Sequence, residues 1–88
     1  MAFTGSLDEQ FDQAKTAVSG LTADPGVETQ LKLYALFKQA TSGDVAGKRP
    51  GFTDMRGRAK YDAWAKLKGT SGEAAKQQYV DTVAGLAG

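Results

Sequence analysis

Tyr34 and Lys38 stand four residues apart, so any helix that holds them presents a phenol hydroxyl and an ammonium on one face. The two groups can converge on a single anion. They end a stripe, Val27, Leu31, Tyr34 and Lys38, that runs from aliphatic through aromatic to cationic. A second stripe, Leu33, Leu36, Phe37 and Ala40, lies roughly a third of a turn away at about 100° per residue. Only a narrow sector with Glu28, Lys32 and Gln39 reads as polar, and a helix apolar on most sides is covered on most sides. Downstream, Arg56, Lys60, Ala63, Trp64 and Leu67 repeat the pattern of a lysine heading an apolar stripe. Each of these residues also has a plain structural reading. Tyr34 serves as core, and Lys38 and Lys60 snorkel their stems over apolar surface. Trp64, the only Trp, is expected as a core anchor.

The residue types present exclude much other chemistry. The chain has no Cys and no His. It therefore has no disulfide framework, thiolate or imidazole metal site, Cys nucleophile or Ser-His-Asp triad. The stretch Gly43-Asp44-Val45-Ala46-Gly47-Lys48-Arg49 comes near a phosphate-cradling loop but lacks its spacing. Three residues separate the glycines where the motif needs four, and Arg49 follows Lys48 where it needs Ser or Thr. Asp8, Glu9 and Asp12 are helix-start charges better than an acid/base pair. No set of residues meets the role checks for catalysis, so no catalytic residue, metal or cofactor is assigned.

Four helices are needed to position these stripes. Ser6-Leu7-Asp8-Glu9 reads as a capping box that opens the first, with Leu7, Phe11, Ala14, Val18 and Leu21 on one side. Gly20 and the Thr22–Gly26 stretch end it. Asp24-Pro25 leads into a second helix that runs to about Thr41 and stops at Ser42-Gly43. A loop over 43–51 with three glycines and a proline follows. Asp54 caps a third helix expected to end at Gly69. Thr70-Ser71-Gly72-Glu73 reads as a second capping box, opening a fourth helix that ends near Gly85. No period-two strand pattern is seen, so the class is all-α, with a long crossover between the second and third helices.

At 88 residues the chain suits one domain over 1–88, and its net charge of +1 conceals an uneven distribution. Residues 1–31 carry five acids against one base, and residues 32–68 carry nine bases against three acids. A basic middle third suits an anionic partner of limited size. The apolar runs are too short to span a bilayer, and the start has no signal-peptide pattern, which gives a cytoplasmic protein by default.

The run Leu33-Tyr34-Ala35-Leu36-Phe37-Lys38-Gln39-Ala40-Thr41-Ser42-Gly43-Asp44 resembles the signature of the acyl-CoA-binding protein family. So do Arg49-Pro50-Gly51, the run Gly57-Arg58-Ala59-Lys60-Tyr61-Asp62-Ala63-Trp64, and Leu67-Lys68-Gly69-Thr70-Ser71. Ala74-Ala75, Tyr79-Val80 and Val83 extend the likeness across nearly the whole chain, and several linked motifs are far more specific than one. The resemblance implies a four-helix up-down-down-up bundle that carries long-chain fatty acyl-CoA esters, is not an enzyme and works as a monomer. It puts Tyr34, Lys38 and Lys60 on the adenosine 3′-phosphate and Phe37 beside the adenine. It also puts Tyr79 at a further ligand contact, Arg56 near the CoA phosphates and Leu31 near the acyl groove.

Four positions depart from the family pattern. Phe37 keeps a stacking face without a hydroxyl, and Tyr61 stands for a common Trp. Lys15 occupies a place that is usually small and apolar and faces the acyl chain, and Ser19 a place where Lys is frequent. Two other readings are set beside the carrier. One is a helical module that docks its basic third on nucleic acid or an acidic protein. Interleaving of the basic residues with apolar ones speaks against it. The other is an accessory domain of an acyl-CoA enzyme. The carrier reading expects no nucleic acid and no stable membrane insertion.

Overall fold

A computed structural model describes residues 3–21 and 24–87. Met1, Ala2, Thr22, Ala23 and Gly88 fall in the expected chain start, first turn and chain end, and lie outside the described residues. Four helices form, α1 (Leu7–Ser19), α2 (Val27–Ser42), α3 (Met55–Ala65) and α4 (Gly72–Ala87), with no strand among the described residues.

The helix starts follow from short polar side chains. Ser6 Oγ accepts from the Glu9 amide at 3.2 Å, while the Ser6 amide donates back to Glu9 Oε1 at 3.3 Å, which completes the expected box. Asp54 accepts from the Gly57 amide at 3.0 Å. A Cβ at Gly57 would collide with that carboxylate, so the absence of a side chain there permits the cap. Asp24 acts from two residues before the cap of α2. Its Oδ1 accepts from the Gly26 amide and from Gln30 Nε2, both at 2.8 Å, and Gly26 takes the cap position at φ +95°.

Three boundaries differ from the spacing-based expectation. α3 ends at Ala65, and Lys66–Gly69 form a turn in which the Leu67 and Lys68 amides donate to carbonyls three residues back, closed by Gly69 at φ +89°. Ser71 caps α4 in place of Thr70, accepting from the Ala74 amide at 3.1 Å. Residue 74 is Ala and returns no bond, so no capping box forms there. α4 also runs on past Gly85 to Ala87.

Side-chain register fixes the directions. Asp8 meets Lys76 at 2.6 Å and Phe11 meets Tyr79 at 5.0 Å between ring centroids, so α1 and α4 run parallel. Lys60 sits over Tyr34 and Lys38 over Trp64, so α2 and α3 also run parallel. α2 packs along α4 and its Gln39 reaches Thr70, just before α4 begins, so those two are antiparallel. The bundle is up-down-down-up. Phe11, Ala14, Leu33, Leu36, Ala75, Tyr79, Val80 and Val83 form its core, drawn from α1, α2 and α4.

α3 contributes no buried residue and packs on α2 alone. Polar contacts to the crossover compensate. Arg49 donates to both carboxylate oxygens of Asp62, Nε at 2.8 Å and a terminal nitrogen at 2.6 Å, and the Tyr61 hydroxyl donates to the Gly47 carbonyl at 3.1 Å. Gln39, expected in the polar sector of α2, is instead 1% exposed. Its amide donates to Asp44 Oδ1 and to the Thr70 carbonyl, both at 2.8 Å, and accepts from the Trp64 indole at 3.2 Å. Trp64, expected in the core, is half-buried at the α2–α3 seam, where its indole also donates to the Gly43 carbonyl at 2.8 Å. A large ring with one polar atom settles where that atom finds acceptors. The Gly69 amide at 2.8 Å, then the Gln39 amide, hold the Asp44 carboxyl below its ordinary range.

Candidate functional site

The α2–α3 seam brings two cation–aromatic pairs into register. Lys60 Nζ lies 5.3 Å from the Tyr34 ring centroid, and Lys38 Nζ lies 5.0 Å from that of Trp64. Each helix thus lends an ammonium to the other's ring. Tyr34 precedes Lys38 by four residues on α2, and Lys60 precedes Trp64 by four on α3. Because the order is reversed and the helices are parallel, cation meets aromatic at both levels. A ring attracts an ammonium through its quadrupole, worth about 0.5–1 kcal/mol at an exposed site, and leaves the charge unneutralised. The ion pairs among the described residues are Lys15–Asp12, Arg49–Asp62 and Lys76–Asp8, so Lys38 and Lys60 are held in place without a carboxylate partner.

Next to the Tyr34–Lys60 pair lies a groove of about 400 Å³. Val27, Gln30, Leu31, Tyr34, Arg56, Ala59 and Lys60 line it. A second groove of about 510 Å³ flanks the same seam, with Ala35, Ala63 and Leu67 on its apolar side and Glu28, Lys32, Asp62 and Lys66 around it. Leu31 and Ala59 are walls common to both.

The residues singled out from the sequence divide into two groups. Tyr34, Lys38, Lys60, Arg56 and Leu31 gather at the seam, with Arg56 exposed on the first turn of α3. Phe37 and Tyr79 meet elsewhere, on either side of Phe11. Phe37 stacks on it at 6.2 Å with 36% of its surface exposed, and Tyr79 packs edge-on against it, 5% exposed. Burial pushes the Tyr79 hydroxyl above its ordinary pKa. Two contributors escaped sequence reasoning. Trp64 carries the Lys38 ammonium as well as anchoring α3, and the reversed order of the two i,i+4 pairs is the signal that could have found it. Gln39 leaves no such signal, since its partners Trp64 and Thr70 lie 25 and 31 positions away.

Among the described residues no cluster of His, Cys, Asp and Glu could hold a metal ion, and no helix is long and apolar enough to cross a membrane.

Residues 8–83 match the family described as Acyl CoA binding protein. The chain is 49% identical over 80 residues to an acyl-CoA-binding protein homolog of Drosophila melanogaster, covering 91% of this chain and 93% of that one. It is also 46% identical over 78 residues to enoyl-CoA delta isomerase 2 of Homo sapiens, covering 89% of this chain but 20% of that larger protein. Among solved structures, Oryza sativa acyl-CoA-binding protein 2 superposes with a TM-score of 0.88 at 36% identity, over 93% of this chain and 91% of that one. With four helices in this order, the family's signature runs and relatives matched nearly end to end, the chain belongs to the acyl-CoA-binding protein family.

Proposed function

We propose that the protein binds long-chain fatty acyl-CoA esters reversibly and carries them through the cytosol as a monomer, without catalysing their conversion. The observation that carries this is the pair of ammonium groups, Lys38 and Lys60, held by aromatic rings beside an apolar groove and without a carboxylate partner among the described residues. The ligand has a multiply anionic nucleotide at one end and a hydrocarbon at the other, and a suitable site sets cations and aromatics beside an aliphatic channel. In this reading Lys38, Lys60 and the Tyr34 hydroxyl grip the 3′-phosphate, and the open face of Phe37 flanks the adenine. Arg56 meets the remaining phosphates, Tyr79 adds an aromatic contact from α4, and Leu31 lies along the acyl chain. Nucleic acid and membrane insertion have no part in it, and no metal or cofactor is required.

Head group and tail then divide the work. Hydrogen bonds to charged groups contribute about 1.5–3 kcal/mol each and set orientation. Each methylene taken from water adds about 0.8 kcal/mol, roughly fourfold in affinity. Titration calorimetry with CoA, a medium-chain ester and a long-chain ester tests the division. Affinity is expected to climb along that series, and equal affinity for all three would remove the tail from the mechanism.

A further inference from the structure

The seam is not the only place where an ammonium lies against an open ring. Lys15, the only base of α1, has its Nζ 4.8 Å from the Phe11 centroid and 5.9 Å from that of Phe37 on α2. Phe11 is buried, whereas Phe37 is open to solvent over about a third of its surface, so the charge sits at the margin of an exposed aromatic face. The ion-pair partner of Lys15 is Asp12, one turn earlier on the same helix, at 3.1 Å. Asp12 is 74% exposed and Lys15 39%, an arrangement that holds a cation weakly. Lys76 also approaches Phe11, but it is committed to Asp8 at 2.6 Å across the α1–α4 contact. One turn on, the Ser19 hydroxyl is spent on the Lys15 carbonyl at 3.0 Å, so Lys15 is the cation of this stretch of α1.

We propose that Lys15 binds the nucleotide end of the ligand, its ammonium leaving Asp12 for a phosphate while the ligand's base lies on Phe37. This rests on the acyl-CoA reading of the seam. It also changes the expectation from the family likeness, which set Lys15 towards the acyl chain. With its Nζ 4.8 Å from the Phe11 ring centroid and 5.9 Å from that of Phe37, Lys15 stands beside the ring that this reading puts on the adenine. α1 thereby adds a cation to Lys38, Lys60 and Arg56 at the seam. The exchange is favourable because a multiply charged phosphate group competes with one solvated carboxylate, and N–H donors bind phosphate through short charge-assisted bonds.

The test is titration calorimetry at low salt with CoA and with 3′-dephospho-CoA, on the unmodified protein, Lys15→Met and Asp12→Asn. Met keeps an unbranched side chain of similar length without the charge, and circular dichroism checks that the fold is unchanged. Lys15→Met is expected to weaken CoA roughly three- to tenfold. Asp12→Asn, which removes the competitor, is expected to tighten CoA by about twofold. A loss in Lys15→Met that vanishes with 3′-dephospho-CoA assigns the contact to the 3′-phosphate, and a loss that persists assigns it to the pyrophosphate. An unchanged or tighter CoA Kd in Lys15→Met overturns the role of Lys15 alone, as does weaker binding by Asp12→Asn. Failure of the unmodified protein to bind CoA overturns the reading of the seam and Lys15 with it.

Discussion

Lys60 is exposed and has no carboxylate partner among the described residues, so its charge is available to a ligand and adds little to the fold. Lys60→Ala is therefore expected to weaken CoA and its esters about tenfold or more, equally for short and long chains, with the melting temperature unchanged. Calorimetry across a chain-length series checks the equality, and a loss that grew with chain length would move Lys60 from the head group to the tail. Gln39 is the opposite case, fully buried and saturated with hydrogen bonds. Gln39→Leu fills similar volume but strands the Thr70 carbonyl, and is expected to cost about 1–3 kcal/mol, read from denaturant unfolding. The contrast shows what was legible. Tyr34, Lys38 and Lys60 lie on stripes of one period each, which a linear chain displays. The importance of Gln39 depends on a loop and a turn folding back onto α2, and no local pattern encodes that.

At the scale of elements, α3 is the unusual member, because a helix normally draws its stability from an apolar face buried against neighbours. Here the crossover supplies it through Arg49–Asp62, Tyr61 to Gly47 and Trp64 to Gly43. Arg49→Ala is expected to speed amide hydrogen exchange across α3 while α1 and α4 keep their protection, measured residue by residue. Acid acts on the same clasp. The hydrogen bond from Arg49 holds the Asp62 carboxyl below its ordinary value. A depressed carboxylate contributes stability above its unfolded pKa, about 3.9, and loses it as pH falls through the folded value. Exchange in α3 is thus expected to rise below about pH 4 before the rest of the molecule opens, and Asp62→Asn should abolish that pH dependence. Helix starts were largely legible, since Ser6 and Asp54 cap where their types predict. Helix ends were less so. The Lys66–Gly69 turn keeps helix-like composition, and only Gly69 marks where the chain must turn left-handed.

The whole molecule is a slab, with extents of 40 × 28 × 15 Å and a radius of gyration of 13.3 Å. α1, α4 and one side of α2 enclose the core, while the other side of α2 carries α3 and the grooves. Both grooves follow the seam, and Leu31 and Ala59 line each of them. A ligand that binds only the folded state raises the melting temperature in step with its affinity. At equal concentration, a long-chain ester is expected to raise it more than free CoA, read by differential scanning calorimetry; equal shifts would mean that the grooves take no hydrocarbon. All-α architecture, helix number and the crossover could be read from punctuation alone. The parallel pairing of α2 with α3 was implied by the family likeness rather than by the punctuation, because it is set by contacts between residues 26 apart, such as Tyr34 with Lys60.

With no buried residue, α3 separates the wall of the proposed site from the duty of folding the chain. Its outward positions, and Ala59 and Ala63 on the grooves, can vary in size and charge while the Phe11–Leu36–Val83 nucleus is left alone. Such a division leaves cargo preference free to drift, or to be re-engineered, one side chain at a time.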